Sequence, residues 1–175
     1  MKRIYLFNSR DCTGCRLCEL SCSLKKLGAF NPRVAHIRVV KDEEAGKDVP
    51  LVCKQCEKAP CMTACPVEAL TRDERTHAVV VSEEACIGCG ACVEACPFGA
   101  IILQPETNIA WKCDLCGGDP ECVKYCASAA IQYIDSSELA ATRRSDAARR
   151  VKEAEAAATA EAETGSSVKR EESKV

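Results

Sequence analysis

The chain has 175 residues and a formal net charge of −2, a length that suits one compact domain or one domain with an appendage. Its aromatic content is only 4%, which excludes a core built mainly from large rings. No run of apolar residues is long enough to span a membrane.

The first third of the chain predicts two strands and one helix. Arg3–Phe7 reads as a short first strand, and Glu19–Leu27 reads as a helix with Gly28 as its C-terminal stop. Ala35–Val40 is rich in β-branched residues and predicts a second strand. The charged segment Lys41–Pro50 is expected to be a loop.

The middle of the chain predicts a series of short strands. Val67–Thr71 and Ala78–Val81 are expected to pair as a hairpin around a turn at Arg72–Thr76. The remaining extended segments are predicted at Ala100–Leu103, Ile109–Lys112 and Ile131–Asp135. Short strands combined with short helices indicate an α+β fold.

The composition changes at Asp135, beyond which large apolar residues are scarce. Residues 136–163 predict a helical extension, and residues 164–175 read as a disordered tail. Leu139 and Val151 are too few to form an apolar stripe, so the helix is not expected to fold back on its own domain. We expect it to dock on another polypeptide or to mediate self-association; the alternative is a solvated, frayed tail.

Sixteen cysteines fall in four groups of four, and none is left over. The first and third groups have the spacing C-x2-C-x2-C-x3-C, and the other two lengthen only the middle gap. The groups are Cys12, Cys15, Cys18, Cys22; Cys53, Cys56, Cys61, Cys65; Cys86, Cys89, Cys92, Cys96; and Cys113, Cys116, Cys122, Cys126. This is the ligand spacing of cubane iron–sulfur clusters in bacterial ferredoxins, so the sequence predicts four [4Fe–4S] clusters.

Two other interpretations of the cysteines are less favoured. Structural zinc joins two C-x2-C pairs across a longer gap and does not repeat four close cysteines four times. A disulfide framework suits short secreted chains, and Met1–Asp11 has neither the apolar segment nor the cleavage signal of a secretory leader. Thiolate-rich sites fit a reducing compartment, so we expect a cytoplasmic protein.

The charge of the loaded protein bears on its partners. Four oxidised clusters, each with a charge of −2 including its thiolates, would bring the loaded protein to about −10, which disfavours nucleic acid and favours a docking partner with basic residues. No nucleophile–base pair, phosphate-binding loop or nucleotide fingerprint is present. The sequence therefore predicts an electron-transfer protein and not an enzyme with its own catalytic site.

The motif set over Ile4–Ile134 resembles the four-cluster ferredoxin subunits of molybdenum and tungsten oxidoreductases. It is similar in particular to the small subunits that accompany tungsten aldehyde oxidoreductases. The resemblance rests on CTGCRLCE at Cys12–Glu19, FNPR at Phe30–Arg33 and KCDLCGGDP at Lys112–Pro120. It implies a catalytic tungsten or molybdenum subunit as partner, and a flavin subunit or another redox protein as an additional partner.

The ligands are expected to cross between groups, because the fourth cysteine of each run in two-cluster ferredoxins ligates the other cluster. The order of the strands and the resemblance favour a nested arrangement, in which groups two and three form an inner pair and groups one and four an outer pair. The Cys-Pro sequences that end groups two and three, at Cys65-Pro66 and Cys96-Pro97, favour the same arrangement. We expect the sets Cys12, Cys15, Cys18 with Cys126; Cys113, Cys116, Cys122 with Cys22; Cys53, Cys56, Cys61 with Cys96; and Cys86, Cys89, Cys92 with Cys65. The cluster domain then spans residues 1–135, with an inner module at 50–104 and an outer module made of 1–49 and 105–135.

Two further functions stay open from the sequence. One is a free polyferredoxin that serves enzymes such as hydrogenase or carbon monoxide dehydrogenase. The other is an assembly protein whose tail builds an oligomer or a filament that acts as a redox wire. Co-purification with a partner and measurement of particle size distinguish these from a bound subunit.

Overall fold

The computed structural model describes residues 2–6 and 11–171, with side chains up to residue 156 and at residue 159. The chain divides into two compact units between Ser136 and Ser137, one residue beyond the predicted end of the cluster domain. The residues at 172–175, at the end of the predicted tail, lie outside the described ranges.

The first unit is closed by its two terminal strands. Strand β1 (Lys2–Leu6) pairs antiparallel with β8 (Ile131–Asp135), and Ile4 lies opposite Tyr133. Residue Phe7 of the predicted first strand lies outside the described residues. The two ends of the unit therefore meet in one ribbon. The sequence predicted both strands but not their pairing with each other.

Three antiparallel hairpins lie between the terminal strands. They are β2–β3 (Ile37–Asp42 and Lys47–Val52), β4–β5 (Leu70–Arg72 and Val79–Val81) and β6–β7 (Ile101–Leu103 and Ala110–Lys112). The predicted hairpin between the second and third cysteine groups is the β4–β5 pair. All of these ribbons are two-stranded, so their stability depends on what they pack against.

The prediction of a loop at Lys41–Pro50 is wrong, because this segment contains most of β3. Charged residues and a proline concealed the strand, since proline cannot donate to a ladder. Pro50 nevertheless lies opposite Val39, and both are buried. Most of the charged residues lie toward the turn between the strands, where they are exposed, whereas Asp48 is half-buried.

The helices of the first unit are short, and each carries cysteines. Helix α1 (Leu17–Leu27) ends where predicted, at Gly28, which has a φ of 70° and donates its N–H to the Leu24 carbonyl over 2.8 Å. Three single-turn helices each hold the third cysteine of a group: α2 (Pro60–Thr63), α3 (Ala91–Glu94) and α4 (Glu121–Lys124). Short 3-10 turns occur at Pro32–Val34 and Leu115–Gly118.

Two buried polar side chains join these elements. The Glu19 carboxylate on α1 accepts the Val39 N–H of β2 over 2.6 Å, and this side chain is 3% exposed. The fully buried Gln55 amide donates to the Cys113 carbonyl over 2.7 Å and accepts the Val79 N–H over 2.9 Å. Gln55 therefore ties the second cysteine group to the fourth and to strand β5.

The core of the first unit is built largely from cysteines and small aliphatic residues. Seven of the sixteen cysteines are buried. Several of them pack in one core cluster with Ile4, Ile37, Leu115 and Ile131. This composition agrees with the low aromatic content. The interior is therefore formed around the sulfur atoms.

The second unit is one long helix, α5 (Leu139–Glu171). It begins three residues later than predicted and continues through residues 164–171, which were predicted to be disordered. This continuation passes through Thr164–Val168, which are weak helix formers, and only the last three residues, Lys169–Glu171, are good ones. Exposed ion pairs support its first half: Asp146–Arg149 at 2.7 Å and Arg149–Glu153 at 2.8 Å.

None of the helices within the described ranges combines the length and the apolar character needed to cross a bilayer.

Replacing Gln55 by leucine is expected to destabilise the holoprotein by about 1–3 kcal/mol, because the buried Val79 N–H loses its acceptor. The midpoint of denaturant-driven loss of visible absorbance measures this. Gln132→Leu is the control, since the Gln132 amide makes one exposed contact of 3.5 Å, and its effect should stay within about 0.5 kcal/mol. Equal effects of both variants would show that the hydrogen bonds of Gln55 do not stabilise the contact between the second cysteine group and strand β5.

Candidate iron–sulfur cluster sites

Four cavities in the first unit are each lined by four cysteines. We name them sites A to D. Site A contains Cys12, Cys15, Cys18 and Cys126; site B contains Cys22, Cys113, Cys116 and Cys122; site C contains Cys53, Cys56, Cys61 and Cys96; site D contains Cys65, Cys86, Cys89 and Cys92.

In every site, three cysteines come from one group and the fourth comes from another. The structure thus brings together the same sets of four that the sequence analysis groups. Groups one and four supply sites A and B, while groups two and three supply sites C and D. Ligation of one cluster by each set stays a prediction.

The sites follow one another in the order A, B, C, D. Cys18 of site A and Cys22 of site B lie one turn apart on α1, which joins these two sites. Sites C and D are joined in the same way by the short segments from Cys61 to Cys65 and from Cys92 to Cys96. Sites B and C meet at a third junction, where Cys113 lies near Cys53.

Burial favours the protonated form of several thiols. Burial chiefly, and then the neighbouring Cys53, raise the pKa of Cys113 to about 12. Burial, followed by the charge of Glu19, raises the pKa of Cys18 to about 12. Burial also raises the pKa of Cys122. A thiolate at these positions therefore requires a bound cation to stabilise it.

Backbone N–H groups approach several of the sulfurs. His36 donates its N–H to Cys22 Sγ over 3.3 Å, and Leu115 donates to Cys113 Sγ over 3.4 Å. The contacts repeat at the Cys-Pro ends, where the residue four positions later donates to Cys65 Sγ or Cys96 Sγ over 3.3 and 3.4 Å. Hydrogen bonds to sulfur are one way in which a protein tunes cluster potential.

A buried lysine lies between sites B and C. Lys112 is 4% exposed, and its ammonium donates to the carbonyls of Cys113, over 2.8 Å, and Val79. Its charge lowers the pKa of Cys61, although burial raises that pKa overall. This cation is therefore positioned to offset negative charge at site C. Nothing in the sequence indicated that the Gln55 and Glu19 side chains are buried.

The two histidines differ in their environment. The ring of His36 packs edge-on against Trp111, with the ring centroids 5.2 Å apart, and burial followed by Lys26 lowers the pKa of His36 to about 4. The His36 ring is thus neutral at pH 7. His77 is exposed at the β4–β5 turn. Neither ring is needed to complete a set of four cysteines.

Close backbone packing holds the loops that carry the cysteines. Gly88, between Cys86 and Cys89, has a φ of 67°, and a Cβ there would lie 2.5 Å from the Asn108 carbonyl oxygen. The Asn108 side-chain amide also donates to the Gly88 carbonyl over 3.2 Å. Glycine is therefore required at this position by conformation and by space.

The donor sets fit a cubane. All sixteen cysteines are free thiols, and each cavity offers the four soft donors that one such cluster requires. Zinc needs its thiolates within about 2.3 Å of one point. Among the described residues, no three His, Cys, Asp or Glu side chains are arranged to hold a single metal ion. The four sulfurs of each set therefore surround a cavity, as a cluster requires, and do not point at one shared position, as a single metal ion requires.

Comparison with known families agrees with this geometry. The family described as "4Fe-4S dicluster domain" matches residues 45–136, and a "4Fe-4S binding domain" matches residues 10–25. The chain belongs to the 4Fe-4S ferredoxin-type family. The prediction of several [4Fe–4S] clusters as cofactors is thereby confirmed, and so is the general class of iron–sulfur electron-transfer protein.

Individual relatives carry related names. The polyferredoxin-like subunit of an aliphatic sulfonate oxidoreductase from Pyrococcus furiosus is 47% identical over 129 residues, covering 73% of this chain and 74% of the relative. The thiosulfate reductase electron transfer subunit PhsB of Salmonella typhi is 32% identical over 151 residues, covering 78% of each. Among solved structures, the complex BamBC of benzoyl coenzyme A reductase with benzoyl-CoA is 25% identical, covering 85% of this chain and 91% of that one, with a TM-score of 0.46.

Replacing Gly88 by alanine is expected to lower the thermal stability of site D and its iron content. The control is Gly46→Ala, because Gly46 has a similar φ of 61° but nothing within 4 Å of its added Cβ. Gly46→Ala should cost about 1–2 kcal/mol through conformation alone, and Gly88→Ala about 1–3 kcal/mol more through the clash. Iron per chain and thermal loss of visible absorbance provide the readouts. Equal losses would show that close packing at Gly88 is unimportant.

Proposed function

We propose that sites A to D each hold one [4Fe–4S] cluster, ligated by the four cysteines that line the cavity. The observation that carries this proposal is the presence of four thiol groups in each of four separate cavities, with three from one group and one from another. When bound, such clusters exchange single electrons and form no bond to a substrate.

We propose further that electrons pass along the series A, B, C, D. Support comes from the short segments that join A to B and C to D, and from the approach of Cys113 to Cys53 between B and C. The chain holds the sites close together and shields sites B and C from water more than the terminal sites. Site B has three buried cysteines and site C has two, whereas sites A and D have one each. Cys15 in site A and Cys89 in site D are the two exposed cysteines, so electrons would enter and leave at these ends.

The chain is proposed to serve a catalytic oxidoreductase subunit. Relatives named as subunits of an aliphatic sulfonate oxidoreductase and of a thiosulfate reductase support this role. The resemblance of Cys12–Glu19, Phe30–Arg33 and Lys112–Pro120 favours a tungsten or molybdenum aldehyde oxidoreductase as the partner. The identity to the Pyrococcus furiosus relative favours a second candidate, an enzyme that acts on aliphatic sulfonates. A flavin subunit or another redox protein would be the second electron partner.

Anaerobic affinity purification of the tagged chain from its native cells tests this assignment. A catalytic polypeptide that contains tungsten or molybdenum should co-purify in equal amount and should reduce or oxidise aldehydes or aliphatic sulfonates. Recovery of the iron-loaded chain alone would favour a free polyferredoxin. The proposals of a cytoplasmic location, and of no binding to nucleic acid or membranes, are tested by fractionation of the same cells.

Iron analysis is expected to give about sixteen irons per chain, because four complete thiolate sets each hold four irons. Zinc and acid-labile sulfide are measured in parallel on anaerobically purified protein, with sulfide expected in equal amount to iron. A colourless preparation loaded with zinc would contradict the assignment.

We propose that α5 docks on another polypeptide, either the catalytic subunit or a second copy of this chain. Almost all of its described side chains are exposed, including Val151 at 56%, and its alanines permit close approach of a neighbouring helix. Its i,i+3 and i,i+4 ion pairs stabilise the helix while leaving Arg143 and Arg144 for a partner.

Truncation after Asp135 should leave the iron content and the visible spectrum unchanged, because the last cysteine is Cys126. The same truncation should reduce the particle size measured by light scattering of the purified complex. An assembly of unchanged size and composition would show that α5 takes no part in docking and acts only as a solubilising extension.

A further inference from the structure

The surface around Cys89 combines an exposed cysteine with exposed apolar and acidic residues. Cys89 is exposed, and the lining of site D includes Val67 and Ile87, which are 39% and 64% exposed. We call the surface formed by Val67, Glu68, Glu84, Ile87, Cys89 and Glu94 the Cys89 face. Large aliphatic side chains exposed beside an exposed ligand form an apolar centre that a partner can cover.

The charge of this face has one sign. From His77 to Trp111 the chain contains four glutamates and no lysine, arginine or aspartate. Glu68 adjoins Val67, Glu84 precedes Ile87 by three residues, and Glu94 ends the helix that carries Cys92. Within the described part of the chain, none of these three exposed glutamates forms an ion pair with a lysine or arginine side chain. They are therefore free to interact with cations on a partner.

The other end of the series has a different character. Cys15 of site A is followed by the exposed Arg16, but the Asp48 carboxylate packs against Gly14 on the same loop, where an added Cβ would lie 2.4 Å from its Oδ2. Cys15 thus lies among charges of both signs, whereas the charged side chains beside Cys89 are all acidic. A single partner surface of one charge cannot suit both ends equally.

We propose that the Cys89 face is the docking surface for a small electron-carrier protein whose own docking face has lysines and arginines around an apolar cofactor edge. This inference rests on the proposed function, because it takes site D as one terminus of the series. The small apolar centre suits a transient encounter, whereas a permanent catalytic subunit needs a larger and more hydrophobic interface. The acidic rim would steer a basic partner and bring its cofactor toward Cys89.

The exchange at this face moves one electron. With a ferric c-type cytochrome as acceptor, the dithionite-reduced protein loses one electron and the haem iron becomes ferrous. No proton or chemical group is transferred, so the rate reports docking and electron transfer alone.

The test uses the full-length holoprotein and a basic c-type cytochrome as the probe, with an acidic flavodoxin as the charge control. Calorimetry or fluorescence measures the Kd of the complex formed by the two oxidised proteins, and stopped-flow absorbance measures the bimolecular rate after reduction. Glu84→Lys and Glu94→Lys should each weaken binding and slow the reaction about fivefold at 20 mM salt, and less than about twofold at 0.5 M salt. Ile87→Ser should weaken binding about threefold at both salt concentrations.

Glu44→Lys is the matched control, because Glu44 is an exposed glutamate in the turn between β2 and β3, which contributes no cysteine. It makes the same change in net charge and should alter the Kd and the rate by less than about twofold. The docking proposal is overturned if Glu44→Lys matches Glu84→Lys, or if the flavodoxin binds as tightly as the cytochrome. Iron content and visible spectra are recorded for each protein. An unmodified protein that holds no iron would contradict the proposed function itself. Retained clusters, with no change in the Kd or the rate for the Glu84→Lys, Glu94→Lys and Ile87→Ser variants, would contradict only the docking surface.

Discussion

The need to hold four sulfur atoms around each cofactor, away from water, governs the architecture. A buried thiolate without a counter-charge is unfavourable, and burial raises the pKa of both Cys18 and Cys113 to about 12. The raised pKa favours the neutral thiol in the folded, metal-free chain. The contribution of these two thiols to the stability of that fold would be fully present below the ordinary thiol pKa near 9 and would be lost as the pH rises toward 12. Iron reverses this balance because it stabilises the thiolate directly, so cofactor assembly and folding are coupled.

The crossing of the chain between sites follows from the same requirement. Each run of three cysteines lies on a tight loop, and its fourth cysteine lies one helical turn beyond, too far from the first to complete the same set. That cysteine instead reaches a neighbouring site, as Cys22 and Cys65 do in sites B and D. Adjacent sites are thereby joined by one turn of backbone, which keeps redox centres close without a large hydrophobic core. Gln55 and Lys112 join the two pairs of sites through buried hydrogen bonds.

The cysteine spacing predicted the cofactor, because the spacing of cluster ligands is local. The grouping of the sixteen residues in the cavities was predicted with the help of the resemblance, and the pairing of β4 with β5 from two extended segments on either side of a turn. Strand β3 escaped prediction because charged residues and Pro50 conceal a segment whose alternate residues are buried. Glu19 and Gln55 also escaped, since polar residues usually lie at the surface and their buried partners are distant in sequence. The helix α5 was predicted from composition, but its end was not, because the weak helix formers from Thr164 to Ser167 indicated a stop at which the helix does not end.

The account depends on crossed ligation, and an anomalous difference map recorded at the iron edge from anaerobically grown crystals tests it most directly. We predict four compact iron densities in the order A to D, each contacted by three sulfurs of one cysteine group and one sulfur of another. Cys126 Sγ would contact the density beside Cys12, and Cys22 Sγ the density beside Cys113. A density contacted by Cys12, Cys15, Cys18 and Cys22 together, or anomalous signal at the zinc edge in place of iron, would contradict it.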